Sequence, residues 1–192
     1  MAPTLAKATL VAPALAYMPS FIDAMREGFS RDTLRPETPE TIAAVAADPG
    51  AYVASFDNPP SHITLPDGSQ GEMVPATTLW CVEGETFLGS VGIRHRLNAN
   101  LEQVGGHVGY AVRPSARGQG LASAMLAETL VWIAANLPLK RVLLTVSAQN
   151  LASIRVIEKN GGVLSGSVPH LWHGGETALH YWIDIQGNQA AA

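Results

Sequence analysis

The chain has 192 residues, of which 47% are apolar and only 15% are charged. That length suits one domain with a sizeable core, and so low a charged fraction argues against a disordered chain. A net charge of −4 and a pI of about 5.8 exclude a basic coat for nucleic acid or for an anionic membrane. Cys81 is the single cysteine, which excludes an internal disulfide and a zinc site made of several cysteines. Because Pro13 and Pro19 interrupt the apolar run near the N-terminus, we expect a compact cytoplasmic protein without a secretory signal or a membrane span.

The N-terminal third predicts one strand, two helices and a long connection. Thr9–Ala12 is typical of a short strand. Pro39–Ala47 predicts a helix, because Thr38 suits the N-cap and proline suits the first helical position. Asp57–Pro75 is rich in proline and glycine and predicts an ordered loop or an irregular hairpin. Ala14–Phe29 predicts a longer helix, one face of which carries apolar residues at steps of three and four: Leu15, Met18, Ile22, Met25 and Phe29.

The rest of the chain predicts six strands and two helices. They follow in the order Thr77–Val82, Thr86–Arg94, His107–Val112, helix Gly120–Asn136, Arg141–Ser147, helix Leu151–Lys159, Val163–Val168 and Ala178–Ile185, with connections over Leu97–Gly106 and His170–Gly175. This order predicts an α/β (α+β) fold with a single mixed, mostly antiparallel sheet of about six or seven strands and helices on both faces. We therefore expect one domain over residues 1–192, with a flexible tail over 187–192.

The segment Val108–Ala122, which reads VGYAVRPSARGQGLA, carries the chemical signal. A predicted strand ends at Val112, and Arg117-Gly118-Gln119-Gly120 leads directly into a helix. Glycines leave successive N–H groups uncovered, and these groups, the helix dipole and the Arg117 side chain together favour a phosphate or a pyrophosphate. The third glycine of a dinucleotide fingerprint and the Gly-Lys-Ser/Thr of a nucleotide-hydrolase loop are both absent. Taken alone, the pattern also fits a plain tight turn between a strand and a helix.

The same segment resembles a known family. Arg117-Gly118-Gln119-Gly120-Leu121-Ala122 matches the R/Q-x-x-G-x-G/A signature of the GNAT superfamily of N-acetyltransferases, and Gly109-Tyr110-x-Val112-x-Pro114 precedes it. Asn150-Leu151-Ala152-Ser153 and Glu158-Lys159-Asn160-Gly161 resemble the two ends of the helix in the family's second motif. The close resemblance covers about residues 104–162, and the element order is similar over about residues 9–185. Finer features resemble a little-characterised bacterial branch of the family.

The resemblance implies a sheet with one splayed strand pair and acetyl-CoA as the acetyl donor, bound by the core segment 104–162. Backbone groups near Val112 would pair with the pantetheine arm and would supply an N–H to the developing oxyanion. Asn150 would contact the arm beside the thioester, and Ser153 would line its far wall. No metal is implied. The pyrophosphate would be held by the amides of Arg117, Gly118, Gln119, Gly120, Leu121 and Ala122.

The distribution of charge agrees with one anionic cosubstrate. The chain has 12 Lys and Arg residues, and half of them fall in the segment that would surround a pyrophosphate: Arg113, Arg117, Lys140, Arg141, Arg155 and Lys159. The net charge therefore disfavours a nucleic-acid partner, and we expect none, whereas the distribution of the basic residues favours a local anion site.

His107 is the predicted general base, because it occupies the position where many relatives carry Glu. An amine must lose a proton before it attacks, and the ordinary imidazole pKa of about 6.5 suits proton uptake near neutral pH. The alternative is a buried, hydrogen-bonded histidine with no catalytic role. Glu102 and His95 are weaker candidates for the base.

The general acid is the departure from the family, since Ile157 stands where many relatives carry Tyr. An aliphatic side chain cannot protonate a leaving thiolate, so Tyr110, Tyr181 or water would serve, or the thiolate would leave unaided. Cys81 could form an acetyl-enzyme, but its place in an apolar strand favours a buried, inert thiol.

The predicted reaction is the direct transfer of acetyl to a primary amine in a ternary complex, with a small molecule preferred to a peptide amine. The alternatives are a non-catalytic acyl-CoA-binding module and a protein N-terminal or lysine acetyltransferase. Monomer and homodimer both remain open.

His170 and His173 could bind a metal in principle, but no carboxylate stands at a recognisable spacing, so we expect no metal site. Scattered acids could attract a cationic amine: Asp57, Asp67, Glu72 and Glu102.

Overall fold

The structure is a computed structural model that describes residues 8–32, 36–57, 59–64, 68–169 and 176–185. Within these ranges, none of the helices combines the length and the apolar character needed to cross a membrane. The predicted connection His170–Gly175 and the predicted tail over 187–192 lie outside the described residues.

Helices and strands alternate along the chain much as predicted. The strands are β1 Thr9–Val11, β2 His62–Thr64, β3 Gln70–Glu72, β4 Ala76–Glu83, β5 Thr86–Arg94, β6 Val108–Val112, β7 Arg141–Ser147, β8 Val163–Pro169 and β9 Thr177–Asp184. The α-helices are α1 Met18–Arg26, α2 Pro39–Ala47, α3 Pro49–Ala54, α4 Ala99–Gln103, α5 Leu121–Asn136 and α6 Leu151–Lys159. Two short 3-10 helices cover Leu15–Tyr17 and Pro114–Ala116.

The main strands form two ladders. The first sheet has the order β1-β4-β5-β6 and the second has the order β7-β9-β8, while β2 and β3 form a separate hairpin. β1 runs antiparallel to β4, and β9 runs antiparallel to both of its neighbours. The two main sheets together hold the number of strands predicted, and no ladder joins the two sheets among the described residues.

One compact unit comprises Met1–Pro59, Thr77–Gly92 and Tyr110–Met125. Its core is aromatic: the Phe21 ring stacks on the Trp80 ring at a centroid distance of 4.7 Å. Phe21 also meets Phe87 edge-on at 5.0 Å. Such contacts add to the hydrophobic gain from burying the rings, so they hold α1 on β4 and β5.

The predicted helix Ala14–Phe29 is shorter than expected. Four of the five residues assigned to its apolar face are buried, but Leu15 is 59% exposed, because it lies in the 3-10 helix that precedes α1. The α-helix ends at Arg26 because Gly28 adopts φ 90°, a left-handed conformation that terminates helices.

The second compact unit comprises Pro60–Ala76, Ile93–Gly109 and Leu126–Ala192. Its main sheet is β7-β9-β8, in which β9 is the inner strand. Ile157 of α6 is 2% exposed and belongs to the buried apolar residues of this unit. The expectation of a single domain over the whole chain stays a prediction.

Two short helices, α3 and α4, lie where no helix was expected. Asp48 Oδ1 accepts a hydrogen bond from the Ala51 N–H at 2.8 Å, and Asn98 Oδ1 accepts one from the Leu101 N–H at 3.0 Å. This is the N-cap arrangement correctly predicted for α2, where Thr38 Oγ1 accepts from the Thr41 N–H. Helices of one or two turns show too little apolar periodicity to stand out, so the cap was their only signal.

Candidate active site

The predicted anion site lies in the first unit, where residues 117–122 form a loop that enters α5. We call these residues the anion loop. Gly118 and Gly120 have φ values of 76° and 78°, which side chains with a Cβ rarely adopt. In the described part of the chain, the backbone N–H groups of residues 118–122 have no hydrogen-bond partner, whereas those of Ser123 and Ala124 donate to Gly120 O. The first turn of α5 contains no acidic residue. The loop therefore offers several free donors at the positive end of a helix dipole.

Arg117 turns back toward the strand that precedes the loop. Its Nε donates to Val112 O at 3.1 Å, so the guanidinium is held beside the end of β6. Val112 is 9% exposed, and β6 is the last strand of its sheet. A last strand has backbone groups on one edge that its own sheet does not use, and a peptide-like arm can pair with such an edge.

Arg113 does not belong to the anion loop, although it was counted among the basic residues around the pyrophosphate. Its Nε donates to both carboxylate oxygens of Glu27 at 3.0 Å. The hydrogen bonds from Arg113 lower the pKa of Glu27 to about 2, so this carboxylate neutralises Arg113 at any ordinary pH.

In the second unit, His107 is buried and tied to β7. The backbone N–H of His107 donates to Leu143 O at 2.7 Å, and the backbone N–H of Leu143 donates to His107 Nδ1 at 2.9 Å. Burial and then the charge of Arg94 lower the pKa of His107 below its ordinary value of 6.5, so the ring is neutral at pH 7. Because Nδ1 accepts a hydrogen bond, the proton of the neutral ring is on Nε2, and neither nitrogen has a free lone pair. This geometry argues against the predicted base role and agrees with the alternative of a buried, hydrogen-bonded histidine.

The residues before His107 bring the chain close to β7. Gly106 has φ 61°, and a Cβ there would lie 2.4 Å from Leu143 O, so only glycine allows this approach. Arg94 Nη1 donates to the carbonyl oxygens of Gly105 and Gly106 at 3.0 Å each. Arg94 is thus a structural residue of this junction.

Asn150 caps α6. Its Oδ1 accepts from the Ser153 N–H at 3.1 Å, which leaves the Nδ2 amide as the group that could contact a ligand.

Ile157, one helical turn beyond Ser153, is buried, so the position where relatives carry Tyr faces the core of this unit. The Tyr181 hydroxyl donates to Glu158 Oε1 at 3.1 Å, and burial, with Glu158 beside it, raises the pKa of Tyr181 above its ordinary value. A raised pKa makes Tyr181 a poorer proton donor.

Glu176 is a candidate that the sequence did not reveal. Ser147 Oγ donates to Glu176 Oε2 at 2.9 Å, and Ser147 O accepts from the Asn150 N–H at 2.9 Å. Glu176 therefore lies at the turn that carries Asn150. Among the described residues of the second unit, Glu176 is the one carboxylate that is partly buried rather than exposed. Its partner Ser147 lies 29 residues earlier, so no local pattern could have linked the two.

The remaining candidates contribute less. Glu102 is exposed, and Glu72 is paired with Arg96. Cys81 is buried at 2% exposure, as the inert-thiol interpretation requires. Asp67, His170 and His173 lie outside the described residues. No group of three or more potential metal ligands occurs in the ranges that the structure covers.

The chain matches the Acetyltransferase (GNAT) domain family over residues 32–163. This match spans more than half of the chain, so the protein belongs to the GNAT acetyltransferase family and is an acetyltransferase enzyme. Family membership thus favours the enzyme over the alternative of a non-catalytic binding module. None of the curated proteins matches the chain.

Solved acetyltransferases share the fold at low sequence identity. The Salmonella typhimurium acetyltransferase that modifies the N-terminal serine of 50S ribosomal subunit protein L7/L12 is 14% identical, with a TM-score of 0.60 over 94% of this chain and 96% of that chain. The spermidine/spermine N-acetyltransferase SpeG of Vibrio cholerae is 12% identical, with a TM-score of 0.61 over 94% of each chain. The microcin C7 self-immunity acetyltransferase MccE, in complex with acetyl-CoA and AMP, is 13% identical, with a TM-score of 0.61 over 93% of each chain. The predicted fold class is confirmed.

Proposed function

We propose that the protein transfers the acetyl group of acetyl-CoA to a primary amine by direct attack in a ternary complex. The observation that carries this proposal is the run of unpartnered N–H groups over residues 118–122 in a chain of the GNAT family. A pyrophosphate is the part of acetyl-CoA that such a run of amides would bind. The structures of MccE and of a ribosomal-protein acetyltransferase in complex with acetyl-CoA or coenzyme A support the same donor.

Several residues would hold the donor. The anion loop would bind the pyrophosphate, with Arg117 as its nearest cation. The edge of β6 that its own sheet does not use would pair, up to Val112, with the amides of the pantetheine arm, and the backbone N–H groups near Val112 suit the oxyanion that develops on the thioester. Asn150 Nδ2 and the region of Ser153 stay the proposed contacts from α6.

Glu176 replaces His107 as our proposed proton acceptor. The acceptor amine is protonated near neutral pH and needs a base, directly or through one water. The one ring lone pair of neutral His107, on Nδ1, already accepts from the Leu143 N–H, whereas Glu176 carries a carboxylate, which acts only as an acceptor when it is ionised. Glu176 also lies at the turn that carries Asn150, the residue that the family places beside the thioester.

The chemical step balances without a further reagent. The neutral amine nitrogen attacks the thioester carbon, the C–N bond forms, and the C–S bond breaks. The proton lost by the amine passes to Glu176, and coenzyme A leaves as a thiol after its sulfur gains a proton from water or from Tyr110. Since Ile157 is buried and Tyr181 donates to Glu158, neither of these two residues is the proposed donor.

A small-molecule amine is our proposed acceptor, and a peptide N-terminus is the second candidate. SpeG is described as a spermidine/spermine N-acetyltransferase and another similar structure as a modifier of a ribosomal protein N-terminus, so the shared fold accommodates both classes. The oligomeric state and the cytoplasmic location stay predictions.

The experiment that tests this function is a thiol-release assay with acetyl-CoA and a panel of amines. The panel contains polyamines, amino acids, aminosugars and short peptides with free N-termini. Turnover with at least one small amine supports the proposal. Turnover confined to peptides would favour a peptide N-terminus as the acceptor. Saturable acetyl-CoA binding without turnover would contradict the proposal and favour a non-catalytic binding module.

A further inference from the structure

Glu27 and Arg113 form an ion pair that lies directly before the anion loop in the first unit. Glu27 is the C-cap residue of α1, and Arg113 follows β6. The two residues are 86 positions apart in sequence. Arg113 Nε contacts both carboxylate oxygens, and Arg113 Nη2 also donates to Glu27 Oε1. This bidentate geometry fixes both the distance between the guanidinium and the carboxylate and the orientation of the guanidinium.

The Glu27 carboxylate also holds the residue on the far side of Pro114. Ser115 Oγ donates to Glu27 Oε2 at 2.7 Å, so one carboxylate binds the residues before and after that proline. These residues begin the 3-10 helix Pro114–Ala116, which runs into Arg117. The Arg117 N–H in turn donates to Pro114 O at 3.3 Å. The position of the anion loop is thus determined from its N-terminal side by Glu27.

The Arg113 guanidinium extends the network to β5. Arg113 Nη1 donates to Ser20 Oγ at 3.0 Å and to Phe87 O at 3.3 Å, and the Arg113 N–H donates to Leu88 O at 2.8 Å. One side chain therefore joins α1, β5 and the turn that precedes the anion loop. We call Glu27, Arg113 and Ser115 the loop anchor.

The loop anchor is not needed to hold α1 in place. The buried core cluster that includes Phe21, Met25, Trp80 and Phe87 already packs α1 on its sheet. The lowered pKa of Glu27 means that the ion pair stabilises the folded state, and solvent reduces this gain because the side chains of Arg113 and Glu27 are 13% and 32% exposed. Besides this gain, the anchor adds geometric precision at one point, the start of the anion loop.

We propose that Glu27 is a positioning residue for acetyl-CoA: through Arg113 and Ser115 it orients the anion loop, so that its loss weakens the binding of the donor but not of the acceptor amine. This inference rests on the proposed function, because it needs the anion loop to bind the pyrophosphate. The donors of the loop must lie within much less than 1 Å of their positions to bind the pyrophosphate well. A loosened anchor therefore reduces the affinity for coenzyme A even when the fold is intact.

The test measures coenzyme A affinity by titration calorimetry, together with steady-state kinetics, in Glu27→Gln. The substitution keeps the size of the side chain and removes its charge. We expect the Kd for coenzyme A and the KM for acetyl-CoA to rise about fivefold or more, with kcat and the KM for the amine within about twofold. The matched control is Glu85→Gln in the exposed turn between β4 and β5 of the same unit, which removes a carboxylate charge outside the loop anchor and should change none of these constants.

Two further measurements separate positioning from stability. The double variant Glu27→Gln, Arg113→Gln should bind coenzyme A no more weakly than the weaker-binding of the two single variants, Glu27→Gln and Arg113→Gln, because the two side chains act as one unit. Ser115→Ala removes one hydrogen bond without removing a charge, and should raise the Kd by a smaller factor. If Glu27→Gln fails to fold, Ser115→Ala still tests the proposal.

Two outcomes overturn the inference, and they differ from failure of the proposed function. A lower melting temperature with unchanged Kd and KM in both Glu27→Gln and Ser115→Ala would show that the anchor only stabilises the fold. A parallel rise in the KM for the amine would show general damage rather than positioning. Failure of the wild-type protein to bind coenzyme A would instead overturn the proposed function itself.

Discussion

The backbone N–H of Leu143 donates a hydrogen bond to Nδ1 of His107, and the His107 N–H donates to Leu143 O. This reciprocal pair joins the residue before β6 to the middle of β7 within the second unit. It uses the one basic nitrogen of the neutral ring, so we propose that His107 stabilises the strand junction rather than accepting a proton from the substrate.

Replacement of His107 should therefore change stability more than chemistry. His107→Ala leaves the buried Leu143 N–H without a partner, which costs about 1–3 kcal/mol of unfolding free energy. The shape of the pH–rate profile should stay the same. Urea unfolding and thiol-release kinetics measure the two effects. Loss of a basic group from the pH–rate profile would restore the base role predicted from the sequence.

The pH dependence of stability should also report on His107. Its pKa is lowered in the folded state, so as pH falls below the unfolded value of 6.5 the unfolded chain gains a proton that the folded chain does not. The unfolding free energy should thus decrease from pH 6.5 downward, until the folded-state pKa is passed. In urea unfolding at a series of pH values, His107→Gln should flatten this dependence below pH 6.5.

Glu176→Gln should remove the proposed base while keeping its contact. The Gln side-chain oxygen can still accept from Ser147 Oγ, so the turn at Asn150 stays in place. We expect kcat to fall about 100-fold, which is the low end of the contribution of general base catalysis, with the acetyl-CoA Kd unchanged. Glu128→Gln on the exposed face of α5 is the control. Equal rates in the two variants would exclude Glu176 as the base.

Asn150 has a capping role and a proposed ligand role, and two substitutions separate them. Asn150→Ala removes the N-cap of α6 and should cost about 1 kcal/mol of unfolding free energy, whereas Asn150→Ser keeps a capping oxygen and should cost less. Both remove Nδ2, so both should lower kcat/KM for acetyl-CoA about tenfold. Full activity in Asn150→Ser would limit Asn150 to the cap.

Restoring the family's Tyr at position 157 should not help. Ile157 is 2% exposed and packed against the C-terminal turn of its helix, where a Cβ on Gly162 would lie 2.4 Å from Ile157 Cγ2. Ile157→Tyr should therefore destabilise the protein by about 1–3 kcal/mol through overpacking, with no gain in kcat. Arg155→Tyr, on the exposed side of α6, should be nearly neutral in urea unfolding. A faster Ile157→Tyr enzyme would contradict this account.

Local signals predicted most of the fold. β5, β7 and α6 have the bounds expected from the sequence, and α2 has the cap and the first-turn proline that its sequence indicates. The anion loop was predictable for the same reason: glycines at alternating positions before an apolar helix determine a local backbone shape.

The parts of the candidate site that could not be predicted depend on polar contacts between residues far apart in the sequence. The tautomer of His107 depends on Leu143, 36 residues away, and the neutralisation of Arg113 depends on Glu27. Neither partner stands at a spacing that a helix or a hairpin would reveal. Glu176 was overlooked for the same reason, whereas α3 and α4 had visible caps but too few turns.

The affinity for acetyl-CoA of two matched glycine variants tests the central claim most directly. Gly118 and Gly161 have φ values of 76° and 84°, and a Cβ at either position would meet nothing within 4 Å, so alanine costs similar backbone strain in both places. Only Gly118 belongs to the anion loop. Titration calorimetry should show acetyl-CoA binding about tenfold weaker in Gly118→Ala and nearly unchanged in Gly161→Ala. Equal affinity in the two variants, or no binding to the wild-type protein at millimolar acetyl-CoA, would contradict the assignment of the anion loop.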